Sequence, residues 1–252
     1  MSPPDLASVL DAESGLTCVV GAGGKKTTLY ALADLLDGPV GSGRPVVTAT
    51  VRIPIFDAEV ADVVVTDDPE TALAAADRFP VGLVPERERD DRYRGYDPET
   101  VGGLAGVHDG ALLVKADGAR SRWLKAPNER EPQIPEAADT VVPVASARVV
   151  GEPLTEERVH RPDRVADIAG CDPGERIGPD DVAAVLASDR GGLKNVPESA
   201  TAIPVVNMVD SPELETVGRE IAGEVLACAP DSVPRVVLAR MVADDPVVAV
   251  VE

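Results

Sequence analysis

Eight residues early in the chain, Gly21-Ala22-Gly23-Gly24-Lys25-Lys26-Thr27-Thr28, combine the residue types that anion chemistry needs. Glycines let backbone N–H groups curl around an anion, lysine neutralises phosphate charge, and a hydroxyl can hold Mg²⁺. The spacing is GxxGKxT, shorter than the full GxxxxGK loop with its following Ser or Thr. Lys26 occupies the hydroxyl place, which leaves Thr27 or Thr28 for the metal. A second chemical element is Asp117-Gly118, closing the apolar run 111–116. A carboxylate at a strand end, with glycine beside it for a sharp exit, can reach Mg²⁺ or its water shell next to such a loop. Thr48 and Thr50 end another apolar run and could present hydroxyls at the same edge. Each element has a plainer reading: a βα turn with surface lysines, an Asp-Gly strand end, and threonine as a favoured strand residue.

Arg120, Arg122 and Lys125 follow Asp117 closely and suit a second anionic group, a substrate phosphate or carboxylate. A solvated basic loop is the alternative. Residues 203–210 form an apolar run ending in Asn207-Met208-Val209-Asp210. This echoes the guanine-reading N-K-x-D of GTPases, in which Asp accepts from the base; Met208 stands where Lys is expected. His160-Arg161 and Lys194 carry no chemistry by spacing alone.

These residues need elements to position them. Residues 16–20 read as a buried strand running into the glycine turn, and Leu29, Leu32 and Leu36 mark one face of a helix over 25–37, stopped by Gly38-Pro39. Further apolar runs cover 45–51, 60–66, 81–84, 111–116, 140–144, 202–207 and 235–240, with helical patterns over 70–77, 181–187 and 212–227. Strands alternating with helices predict an α/β fold of P-loop type, a mainly parallel sheet covered by helices on both faces. Residues 85–97, 117–136 and 145–165 read as irregular. The organisation expected is one domain over 1–252, with 117–200 as an irregular subdomain for a substrate or partner.

Acidic residues outnumber basic ones 44 to 24 over 252 residues, a net charge of −20. That field repels phosphate backbones and anionic lipid, and six aromatics leave little for base stacking, so nucleic acid and membranes are poor partners. No apolar run reaches the ~20 residues of a membrane span, no basic leader opens the chain, and three scattered cysteines make no disulfide framework. A soluble cytoplasmic protein is expected. The basic residues comprise 19 Arg and 5 Lys, and Asp exceeds Glu 25 to 19. Short carboxylates with little lysine suit a surface working in concentrated salt. Most carboxylates are then plain surface, and the five lysines (Lys25, Lys26, Lys115, Lys125 and Lys194) become informative.

Taken in order, the segments VGAGGKKTT, VTATVRIP, LLVKADGARSRWLKAPNEREPQIP, VGEPLTEERVHRP, GGLKNVP and VVNMVD resemble the YqeC family of selenium-dependent hydroxylase accessory proteins, over roughly residues 14–212. The resemblance implies a nucleotide-binding protein associated with maturing molybdenum hydroxylases. It assigns Gly21, Gly23, Gly24, Lys25 and Thr27 to nucleotide phosphate, Thr48 and Asp117 to the metal side, and Lys125, Glu131, His160, Arg161 and Lys194 to a substrate or partner face. Two residues depart from the family: Lys26, which removes the usual hydroxyl, and Lys115, where Glu is usual. The combined expectation is ATP or GTP with Mg²⁺ on residues 21–28. Lys25 and Asp117 carry the chemistry, and a hydroxylase or cofactor precursor is the partner. Phosphoryl transfer or hydrolysis and a non-catalytic, nucleotide-gated assembly role both remain open.

Overall fold

The computed structural model describes residues 5–37 and 43–252; the helix stop expected at Gly38-Pro39 lies outside them. The first half of the chain runs α1 (Leu6–Val9), β1 (Gly15–Gly21), α2 (Lys25–Asp37), β2 (Val46–Ala49), β3 (Ile53–Pro54), β4 (Asp62–Val65), α3 (Pro69–Ala75), β5 (Val81–Val84), β6 (Arg92–Tyr93), α4 (Pro98–Ala105) and β7 (Ala111–Lys115). The second runs β8 (Leu124–Lys125), β9 (Thr140–Ser146), β10 (Val159–His160), α5 (Pro162–Ala169), α6 (Pro179–Leu186), β11 (Thr201–Ala202), β12 (Val205–Asn207), α7 (Pro212–Cys228), β13 (Val236–Ala239) and β14 (Val247–Val251).

Ten strands form one sheet in the order β14-β13-β12-β9-β1-β7-β2-β5-β4, with β11 beside β9; every pairing is parallel except β13 with β14. The strands are apolar on both faces because both are covered, which is why they read as continuous runs. In β1, Val19 packs with Leu29, Leu32 and Leu36 of α2, while Leu16, Cys18 and Val20 face Val101 and Leu104 of α4. The same alternation continues in β13, where Val237 joins the α2 side and Val236 and Leu238 join α6 and α7. The α/β class with both faces covered is therefore as expected.

The chain lays β2, β4 and β5 to one side of β1, brings β7 back to pair with it, and lays β9 and β11 to β14 on the other side, while β10 pairs with β8 apart from this sheet. Such a reversal opens a crevice at the carboxyl ends of the strands, where ligands bind in open α/β sheets. The glycine turn leaves β1 at this point.

Several elements lay hidden in the sequence. The stretch 145–165 is not a plain loop: it holds the end of β9, a 3₁₀ turn Ala147–Val149, β10 and the start of α5. Two-residue strands have no periodicity to read. The helices α4 and α5 begin with Pro98 and Pro162, as α3, α6 and α7 begin with Pro69, Pro179 and Pro212. Proline suits the first helical position, whose N–H needs no partner, so prolines that punctuate the sequence start helices here.

Candidate functional site

The turn after β1 is held by its neighbours. Gly21, Gly23 and Gly24 adopt φ of 89°, 82° and 134°, backbone that favours glycine. A Cβ on Gly23 would lie 2.6 Å from the Ser146 nitrogen and 2.8 Å from the Trp123 oxygen. The N–H groups of the first three residues point inward: Gly21 donates to Asp117 Oδ2 (2.9 Å), Ala22 to the Val144 carbonyl (2.8 Å) and Gly23 to the Arg122 carbonyl (2.8 Å). Among the described residues none accepts from the N–H groups of Gly24, Lys25, Lys26 or Thr27, which open α2. Four unpaired donors with the positive end of the helix dipole make an anion seat.

These residues open on a cleft of about 540 Å³. Seven cationic side chains line it: Lys25, Lys26, Arg52, Arg92, Lys115, Arg120 and Arg122, and no carboxylate is among its lining residues. Lys25, Arg52 and Arg92 are paired with Asp117, Glu88 and Asp91 just outside the lining, and Lys26, Lys115, Arg120 and Arg122 have no carboxylate within 4.0 Å among the described residues. Strain gathers here too. Arg120, Ser121 and Met208, all cleft residues, have left-handed backbone (φ 49°, 58° and 61°), a conformation costing roughly 1–3 kcal/mol for a residue with a Cβ.

Beneath the cleft lies a buried charge network. Parallel pairing of Val19 with Lys115 carries Gly21 and Asp117 to adjacent strand ends. Asp117, 1% exposed, is ion-paired with both lysines: its Oδ2 lies 2.8 Å from Lys125 Nζ and its Oδ1, which accepts no hydrogen bond, 3.0 Å from Lys25 Nζ. Lys25 Nζ donates to the Gly21 carbonyl. Lys125, 3% exposed, donates to the Gly118 carbonyl (2.6 Å) and to Glu131 (3.0 Å), which in turn accepts from Arg161 (2.8 Å). Burial alone would raise the Asp117 carboxyl, but Lys25 and Lys125 more than offset it and hold it below the usual carboxylate range. Glu131 is likewise pulled down, against its burial, by Lys125 and Arg161. Burial, helped by Lys25 and Lys125, lowers the Lys115 ammonium to about 7. Burial and then the adjacent Arg161 and Lys125 lower His160 to about 4.

The residues singled out in the sequence thus divide. Gly23, Gly24, Lys25, Lys26 and Thr27 line the cleft with Arg120 and Arg122. Lys125, Glu131 and Arg161 sit behind it in the charge network, with His160 paired in register to Lys125 on β10. Lys194 is apart, donating to the Asn128 carbonyl. The Thr48 hydroxyl donates to the Leu83 carbonyl (2.7 Å) inside the sheet, and the Thr28 hydroxyl to the Gly24 carbonyl (3.1 Å). Asn207 clamps the turn, donating to the Gly23 carbonyl (2.8 Å) and accepting from the Met241 N–H (3.2 Å). Asp210 is paired with Arg148 (2.6 Å). Sequence reasoning missed Arg52 and Arg92. Arg52 immediately precedes β3 and Arg92 opens β6; the paired residues of this antiparallel ribbon are 38 and 40 apart in sequence, and its strands are too short to show a pattern.

A family model described as YqeC protein matches residues 17–163. The chain is also 32% identical over 192 residues to a protein of Escherichia coli (strain K12) named Uncharacterized protein YqeC, covering 75% of this chain and 74% of that one. The chain belongs to the YqeC family. The YqeC match spans the glycine turn, Lys115, Asp117, Lys125, Glu131, His160 and Arg161, so the cleft floor and the network behind it lie inside it. Lys194, Asn207 and Asp210 lie beyond it. No helix among the described residues is long and apolar enough to cross a membrane.

The donor set also bears on Mg²⁺. Both Asp117 oxygens face lysines, the hydroxyls of Thr48 and Thr28 are turned to the Leu83 and Gly24 carbonyls, and no group of three His, Cys, Asp or Glu is placed to hold a metal among the described residues. Of the residues expected to ligate Mg²⁺, only Thr27 opens on the cleft. These side chains do not assemble a magnesium site of their own.

Proposed function

We propose that this YqeC-family protein binds the phosphates of ATP or GTP at the N-terminus of α2 and acts as an accessory protein in the maturation of molybdenum or selenium-dependent hydroxylases. The maturation role rests on the family resemblance. The phosphate-binding role rests on one observation: the cleft over the unpaired α2 amides is lined by seven cations and no carboxylate. In this reading Lys26 and the four amides take the phosphates, Arg120 and Arg122 close over them, and the Lys25–Asp117 pair fixes the turn from behind. Positioning and charge neutralisation are the main demands of phosphoryl chemistry.

The gated reading has its own support. The Arg120–Ser121 segment is strained, and the residues after it touch both the turn and the 117–200 region: the Gly23 N–H donates to the Arg122 carbonyl, and the Trp123 N–H to the Arg158 carbonyl (both 2.8 Å). A ligand that moves this segment has a path to β10 and α5. Turnover with a small molecule alone favours an enzyme; hydrolysis that needs a partner protein favours a gate.

Calorimetric titration with ATP and GTP, with and without Mg²⁺, tests the proposal. One nucleotide is expected to bind, and Lys26→Ala to weaken it about tenfold, the loss of one charge-assisted contact. If neither binds, or Lys26→Ala binds like the wild type, the reading fails.

A further inference from the structure

The buried charge under the cleft does not balance. Lys25, Lys125 and Arg161 share two carboxylates, Asp117 and Glu131. Lys115 adds another cation, 6% exposed and on the cleft, with no carboxylate within 4.0 Å among the described residues. Its Nζ donates to the Arg52 carbonyl (2.7 Å), one use of the three donors an ammonium carries. Burying an ammonium without a counter-ion is costly, so an oxyanion arriving here supplies the partner Lys115 lacks, at a point already stripped of water.

Lys115 stands on the strand beside β1, but its Nζ leads away from the α2 seat, to the Arg52 carbonyl beyond β2. That seat follows β1, Lys115 ends β7, and Arg52 follows β2, the next strand over. At the usual strand spacing the ends of β1 and β2 lie about 10 Å apart, farther than one phosphate group reaches. Arg120 and Arg122 stand on the opposite side, in the segment hydrogen-bonded to the turn. The ribbon that holds Arg92, with Arg52 just before it, is firmly seated. Ile53 pairs with Tyr93, whose ring packs edge-on against the buried Phe56 at 5.6 Å, and a Cβ on Gly95 would lie 2.5 Å from the Val51 nitrogen. Glu88 holds the Arg52 guanidinium by two hydrogen bonds (2.5 and 2.6 Å), so Lys115 is the cation there with no acidic partner.

Building on the nucleotide reading, we propose that the cleft has a second oxyanion subsite. It is formed by Lys115 with Arg52 and Arg92, and binds the phosphate or carboxylate of an acceptor molecule separate from the nucleotide. The sequence pointed instead to Arg120, Arg122 and Lys125 for that role; Lys125 is enclosed behind Asp117.

Inorganic phosphate, titrated by calorimetry and phosphorus NMR, is the probe. The nucleotide-free protein is expected to bind two phosphates, and the protein saturated with a non-hydrolysable ATP or GTP analogue to bind one. Lys115→Met should weaken that remaining event at least tenfold and change analogue affinity less than twofold. Lys26→Ala should do the reverse. Arg52→Ala, at an exposed position, should weaken the second event severalfold and covers the case in which Lys115→Met misfolds, which circular dichroism would show. A single phosphate displaced by the analogue, or phosphate binding unchanged in both Lys115→Met and Arg52→Ala, overturns the proposal. If no nucleotide binds yet two phosphates do, the subsite stands and the nucleotide reading falls.

Discussion

Asp117 is the residue on which the buried network turns. Its carboxylate meets two lysines and the Gly21 N–H while almost fully enclosed. Removing one partner of a buried ion pair leaves uncompensated charge, which costs more than the pair contributed. Asp117→Asn should therefore lower stability by about 3–5 kcal/mol, read as a shift in the denaturant midpoint. An unchanged midpoint would mean that water reaches Lys25 and Lys125. His160 contributes a pH dependence. Its folded value, near 4, lies below the ordinary 6.5, so the unfolded chain takes up a proton that the native state refuses. Stability from the neutral ring is fully present above pH 6.5 and is lost as the pH falls from 6.5 toward 4. In urea unfolding at pH 7 and pH 4.5, His160→Asn should show a smaller loss at the lower pH than the wild type.

Among the elements, the turn between β1 and α2 depends on strands far away in sequence. Asn207 at the end of β12 ties the Gly23 carbonyl to the Met241 N–H after β13. Its truncation would orphan both groups, a cost of about 1–3 kcal/mol. Because its amide is spent on the backbone, Asn207→Ala should weaken ATP and GTP binding by the same factor. A guanine reader would lose GTP alone, so parallel titrations of the two nucleotides decide between clamp and reader.

For the whole molecule, 44 acidic residues against 24 basic ones impose self-repulsion that salt screens. The thermal midpoint should therefore rise as potassium chloride is increased, and nucleotide association should quicken rather than slow. The long-range field repels an anion while the cleft attracts it only at short range. Differential scanning calorimetry and stopped-flow mixing across a salt series check the two effects. A midpoint falling with salt would show that surface ion pairs, such as Arg92 with Asp91, outweigh the repulsion.

Some of this was legible before folding. Val19 to Gly24 and the helix that follows are contiguous, so local chemistry alone exposed the turn, and unbroken apolar strands announced a sheet covered on both faces. The scarcity of lysine marked Lys25, Lys26 and Lys115, all of which line the cleft. Other features depended on which strands became neighbours. The register of β1 with β7 made Asp117 a partner for two lysines instead of an open carboxylate, and β2 beside β5 turned the Thr48 hydroxyl toward Leu83. The pairing of β3 with β6 brought Arg52 and Arg92 to the cleft. Residue type is written locally and fixes what a side chain can do. Its partners are chosen by long-range pairing, and in a buried site the partner decides whether a charge is spent or free for a ligand.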